Sequence, residues 1–183
     1  MEPMYVVLII IAVIAVIFVM WYIFTSNKLN RLVVKIDEAL SGIDVALTKR
    51  YDVLTKMIEV VKSYAKHEKE TLFEVVKLRS NMSLKEKSKA NQVMDENFKK
   101  INVVAESYPE LKSSDNYKTL QQSIADVEEH LQAARRLYNA NISLYNQQIV
   151  TFPSSVVANN KGMIKKDFFE ADEIKRNDVK IDL

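Results

Sequence analysis

The stretch "LSGIDVALTKRYDVLTKMIEVV", residues 40–61, carries apolar residues on two tracks that each repeat every seven positions. One track reads Leu29, Ile36, Ile43, Arg50, Met57 and Tyr64. The other reads Val33, Leu40, Leu47, Leu54 and Val61. Such spacing keeps one stripe of a helix turned toward a partner helix. The pattern predicts one helix from Asn27 to about Arg79, roughly 80 Å long at 1.5 Å per residue. Gly42 lies inside it at a cost of about 1 kcal/mol against alanine, and close approach of a neighbouring helix is the reason read for it. Arg50 interrupts the apolar track. An arginine left unpaired in a core costs several kcal/mol. Its head must reach water, find a carboxylate, or line a groove for an acidic partner. The favoured reading is a rim arginine with a packed stem and a wet head.

Downstream, the pattern fades after Val76. Ser83 and Glu86 then form an S-x-x-E capping box that starts a second helix, with Met94, Phe98, Ile101, Ala105 and Tyr108 on one face. Pro109 ends it, because proline disfavours helix in the residue before it, and "PELKSSDN" is read as the turn. A third helix carries Tyr117, Ile124, Leu131, Tyr138 and Tyr145 on one track and Leu120, Val127 and Ala134 on another. It ends before "TFPSS", where Pro153 breaks it and Ser154 or Ser155 is expected to cap a short last turn. Methionines and aromatics at this spacing are read as ordinary core.

Upstream, "MYVVLIIIAVIAVIFVMWYIF" (residues 4–24) is apolar throughout. Its length matches a hydrocarbon core of about 30 Å. Tyr5 at one rim and Trp21 with Tyr22 at the other fit the aromatic belt of a membrane interface. "MEP" lacks the basic n-region of a signal peptide, and no small-x-small cleavage site follows. The segment is therefore read as an uncleaved anchor in the lipid bilayer. Lys28, Arg31 and Lys35 follow it, which places the C-terminal portion in the cytoplasm and the N-terminus outside.

Composition agrees with a helical protein. The 183 residues include only 2 Gly and 3 Pro, so backbone breakers are scarce. No cysteine is present, which removes disulfides, thiolate nucleophiles and thiolate metal ligands. With 26 basic and 24 acidic residues, the net charge of +2 gives no nucleic-acid binder. Neither histidine completes a Glu-x-x-His pair: Tyr64 stands three residues before His67 and Val127 three before His130. His67 and Glu70 share a face, but one histidine and one carboxylate do not make a metal site. No P-loop, G-x-S-x-G or H-E-x-x-H occurs. No catalytic residue, cofactor site or metal site is assigned, and the chain is not read as an enzyme.

"IDVALTKRYDVLTKMIEVVKSYAKHEKETL", "AESYPELKSSDNY", "AARRLYNANISLYNQQIVTFPSSVVA" and "FFEADE" occur in this order between residues 43 and 173. Together they resemble the LemA family. The resemblance implies a bacterial protein with an N-terminal membrane helix and an antiparallel helical domain, and no known catalytic activity. It also implies an association with membrane protease systems. The chain departs from the family at Thr55-Lys56, where Pro-Asn is usual, and at Leu40 and Gly42, where Trp and Gln are common. "NNKGMIKKD" replaces the family's apolar, glycine-containing link.

The expected architecture is all-α: a transmembrane helix followed by an antiparallel bundle of three long helices and a short C-terminal one. Residues 1–3 form a short extracytoplasmic N-terminus and 4–25 the transmembrane helix. Residues 26–152 form the LemA-like domain, 153–172 a short helix and docking tail, and 173–183 a charged flexible end. The expected function is that of a single-pass scaffold or adaptor holding a protein partner at the inner membrane. The alternatives are a self-assembling structural protein, with homo-oligomers driven by the stalk seam, and an enzyme of unrecognised type. Candidate partner-binding residues are Arg50, Tyr51 and Asp52, the exposed parts of Arg135, Arg136 and Tyr138, and Phe152, for which simple packing is the favoured reading.

Overall fold

The computed structural model describes residues 3–65 and 82–169. Its elements are α1 (Pro3–Tyr64), α2 (Leu84–Ser107), α3 (Pro109–Ser113), α4 (Asp115–Val150) and α5 (Ser154–Asn160), with no strand among the described residues. The expected all-α architecture stands. The apolar segment and the heptad stretch are one uninterrupted helix, which no proline breaks after its first residue. It closes at Tyr64, short of the expected Arg79; the remainder of that expectation, with His67 and Glu70, lies outside the described residues. The expected C-terminal end at 173–183 lies outside them too.

The chain divides into two units, residues 1–39 with 138–168, and residues 40–137 with 169–183. In the first, α1 begins as an apolar helix of which nothing is buried over its most hydrophobic window. Ile10, Ile17 and Phe24 all stand exposed. A soluble core helix would bury such side chains; a helix solvated by lipid need not. Beyond the span, Leu29, Ile36 and Ala39 are buried, as are Tyr138, Ile142, Tyr145 and Ile149 of α4 and Val157 and Ala158 of α5. The α4 set is spaced four, three and four residues apart, which lines one helix face. Asn141 Nδ2 donates to the Lys35 carbonyl at 3.1 Å. Lys161 Nζ donates to Ser26 Oγ at 2.8 Å and to Asn30 Oδ1 at 2.7 Å. The later residue of α1 thus meets the earlier residue of the returning chain, so the two run antiparallel here.

Proline at 153 ends α4 as expected, but Ser154 does not cap α5. Its hydroxyl donates backward to the carbonyls of Gln148 (2.6 Å), in the last turn of α4, and Thr151 (2.8 Å), which also accepts from the Ser155 amide. α5 closes on Gly162 at φ +64°, a left-handed position that glycine adopts without strain.

In the second unit, α2 opens on the expected capping box: Ser83 Oγ accepts from the Glu86 amide, and the Glu86 carboxylate accepts from the Ser83 amide. The core joins Leu54, Met57 and Val61 of α1 with Met94, Ile101 and Ala105 of α2 and Tyr117 and Ile124 of α4. "PELKSSDN" is more than a turn. Pro109 is the first residue of α3, where its missing amide costs nothing, and α3 buries Leu111 completely. Ser114 then accepts from the Tyr117 amide at 3.3 Å and caps α4.

Close helix approach does not account for Gly42. A Cβ there would lie 3.9 Å from Ala134 Cβ, an ordinary contact. Gly42→Ala is therefore expected to stabilise the fold by about 0.5–1 kcal/mol through helix propensity alone. Urea denaturation of the full chain in mild detergent checks this; a loss of stability would mean that the space is needed.

Candidate functional site

Arg50 is buried, 3 % exposed, and its head is not wet. Nη1 donates to the Asn91 carbonyl at 3.2 Å and to Asn91 Oδ1, and Nη2 pairs with Asp95 Oδ1 and Glu128 Oε1. Asn91 and Asp95 are four residues apart on α2, hence on one face, and Glu128 lies on α4 beside the buried Val127. One guanidinium thus ties three helices. The fork geometry suits this task, because it offers several donors in a plane. Among the options for Arg50, the structure takes the carboxylates. Sequence reading missed Asn91, Asp95 and Glu128. The available signal was polarity beside a seam: Asp95 adjoins Met94, and Glu128 adjoins Val127.

The other candidates scatter. Tyr51 is half-buried against the core of the second unit, and Asp52 is exposed. The Arg135 guanidinium lies 4.8 Å from the centroid of the Phe169 ring, a cation–π distance, and Arg136 is exposed. Arg50 and Arg135 therefore serve different contacts. In the first unit, Tyr138 is buried, whereas Phe152 is 79 % exposed and does not pack as the plainer reading expected. Tyr5 is exposed within the apolar segment, and Trp21 and Tyr22 are partly covered at its far rim, where the Phe18 and Trp21 rings are 5.4 Å apart.

The buried polar side of α4 in the first unit reads the returning chain. Tyr138 Oη donates to the Asp167 carbonyl at 3.4 Å, and Tyr145 Oη to the Ile164 carbonyl at 3.1 Å. Asn146 makes a two-way clasp with Lys166: its Nδ2 donates to the Lys166 carbonyl, and its Oδ1 accepts from the Lys166 amide, both at 2.9 Å. The described part of the tail is docked, and every one of these bonds is to main chain. Main-chain bonding of this kind seats "NNKGMIKKD" with little demand on its side chains.

Burial pushes the hydroxyl pKa of Tyr138 and Tyr145 above the ordinary tyrosine value, and nearby Asp167 and Asp37 add to the shift at Tyr138. In the second unit, burial raises that of Tyr117, with Gln121 opposing and Glu106 adding. The unfolded chain then loses these protons first. Their stabilising contribution is complete below about pH 10, the unfolded value, and is lost as pH rises through the folded values. A spectrophotometric titration of the full chain is expected to show a late-ionising group of tyrosines whose titration coincides with loss of helical signal. Substituting Phe at the three positions should remove that late group.

A family model described as the LemA family matches residues 39–183. The chain is 32 % identical over 168 residues to Protein LemA of Metamycoplasma hominis, an alignment that covers 89 % of this chain and 77 % of that protein. It is 31 % identical over 71 residues to Magnetosome protein MamQ 2 of Paramagnetospirillum magneticum, covering 39 % of this chain and 26 % of that one. Magnetosome protein MamQ of Magnetospirillum gryphiswaldense is 29 % identical over 70 residues, with 38 % and 26 % covered.

Proposed function

Because the chain belongs to the LemA family, and because α4 carries an uncovered apolar stripe, we propose that it is a single-pass scaffold holding a protein partner at the bacterial inner membrane. The stripe is the observation that carries this reading. On α4, Ala133 and Leu137 of the second unit are exposed four residues apart, and so are Ala140 and Leu144 of the first. Leu137 is 57 % and Leu144 51 % exposed. This is the spacing of a seam that receives another helix. Arg50 and Tyr138 do not supply such a surface, since both are internal.

Burying two leucines contributes about 1.5–3 kcal/mol each. Association costs roughly 4–15 kcal/mol in lost freedom. The stripe alone is thus too small to recruit a partner from dilute solution. Confinement to one membrane raises effective concentration and lowers that cost. Anchor and stripe belong to one function on this reading. Lys28, Arg31 and Lys35 after the span favour a cytoplasmic domain. With no cysteine and two histidines, binding rather than catalysis is the role we assign.

Photocrosslinking in living cells from position 137 of the full chain tests the reading. One dominant adduct with a foreign protein, lost on Leu144→Asp, is the expected result. Adducts at multiples of the chain's own mass would assign the stripe to self-assembly instead. Absence of any adduct would overturn both.

A further inference from the structure

Two stretches of the first unit meet next to the apolar span. α1 leaves the span at Phe24, and Lys161 bonds to Ser26 and Asn30 in the first turns beyond it. At 1.5 Å per residue, those partners stand about 3–9 Å along the helix from Phe24. The α4–α5 end of the unit is thereby held at the level where a bilayer presents its headgroups.

The chemistry of that end is mainly basic. Residues 24–36 and 150–166 include Lys28, Arg31, Lys35, Lys161, Lys165 and Lys166, and the nearest acidic residues, Asp37, Glu38 and Asp167, follow these stretches on the side away from the span. Phe24, Asn27, Lys28, Arg31, Leu32 and Lys35 line an open groove of about 370 Å³ along α1. Its order, aromatic first and cationic after, matches the order of acyl chain and phosphate in a lipid. The returning chain exposes large apolar side chains of its own: Phe152 at 79 %, Ile164 at 77 % and Val156 at 48 %. Snorkelling cations are common beside any span and would explain Lys28 and Arg31 alone. They do not explain an exposed phenylalanine and further lysines on a segment more than a hundred residues away, clamped at the same level.

We propose that this end of the unit is a second membrane contact, seated on anionic phospholipid. Phe152 and Val156 enter the interfacial layer, while Lys28, Arg31, Lys35 and Lys165 hold lipid phosphates. Aromatic side chains favour this layer, and each cation near an anionic surface adds attraction. The proposal rests on the reading that residues 4–24 span a membrane. It adds that the domain lies against the leaflet instead of standing off from it.

The test uses the full chain reconstituted in vesicles of phosphatidylcholine, with or without phosphatidylglycerol, and with brominated acyl chains as quencher. Trp21 is the chain's own tryptophan and reports on the span. A Phe152→Trp, Trp21→Phe variant moves the indole to the exposed tip, where the fold has no packing to lose. The expected result is blue-shifted emission and quenching of the same order as that of Trp21, stronger with phosphatidylglycerol and weakened by salt. Changing Lys28, Arg31, Lys35 and Lys165 to Gln should abolish the phosphatidylglycerol dependence. Water-like, unquenched emission from position 152, with Trp21 still quenched in the parent chain, would overturn the second contact and leave the span intact. Unquenched Trp21 would overturn the span and this proposal together.

Discussion

Arg50→Met is expected to cost about 3 kcal/mol of stability, toward the low end of the 3–5 kcal/mol typical of breaking a buried charge pair. The low end applies because the carboxylates of Asp95 and Glu128 keep 27 % and 33 % side-chain exposure and can recover some water. Asn91 Oδ1 loses its donor in a site that is 2 % exposed, while the Asn91 carbonyl, inside α2, keeps its helical one. Adding Asp95→Leu and Glu128→Leu should return most of the stability, since an apolar replacement of a whole ionic cluster is often neutral or better. The Asn91 share should remain lost. Urea unfolding of the parent chain, the single variant and the triple variant in detergent measures both steps. A single-variant loss below about 0.5 kcal/mol, the range of an ordinary surface change, would mean that the guanidinium does not hold the three helices.

Leu111→Ala is expected to cost about 2–5 kcal/mol, the range of a leucine deleted from a closed core. Leu111 is fully buried, and it sits in a helix of five residues between two long ones. If "PELKSSDN" were only a surface turn, the same change would fall within about 0.5 kcal/mol. The contrast is large enough for thermal unfolding followed by helical circular dichroism to decide. A small effect would mean that α3 does not close the end of the core.

These two positions mark where sequence reading stopped. Long helices were legible because period and breakers are local: Leu29, Ile36, Ile43 and Met57 recur every seven residues or at a multiple of it, and all are buried. The capping box at Ser83 was legible for the same reason. α3 was not, because proline serves equally as a stop for one helix and a first residue for the next. The partners of Arg50 depend on the mutual register of three helices, which no single stretch contains. Phe152 was expected to pack, the plainer alternative to a docking point beside Pro153; it stands 79 % exposed because its surroundings are set by the tertiary arrangement, which the local sequence does not contain. The apolar stripe on α4 was missed because Leu137 and Leu144 stand among residues already assigned to the opposite, buried face.

The Asn146 clasp has a consequence for how such chains diverge. A side-chain amide that pairs with both main-chain groups of Lys166 fixes where the tail runs and leaves its side chains out of the bargain. The clasp itself then tolerates changes of side chain over residues 163–168, Lys165 being set apart by its proposed lipid contact and Lys166 by its place over the Tyr145 ring, provided that no proline removes the Lys166 amide. The reading helix bears the inheritance instead, so in divergent relatives a tyrosine and an asparagine side by side on α4 should betray a docked tail long after the tail itself has become unrecognisable.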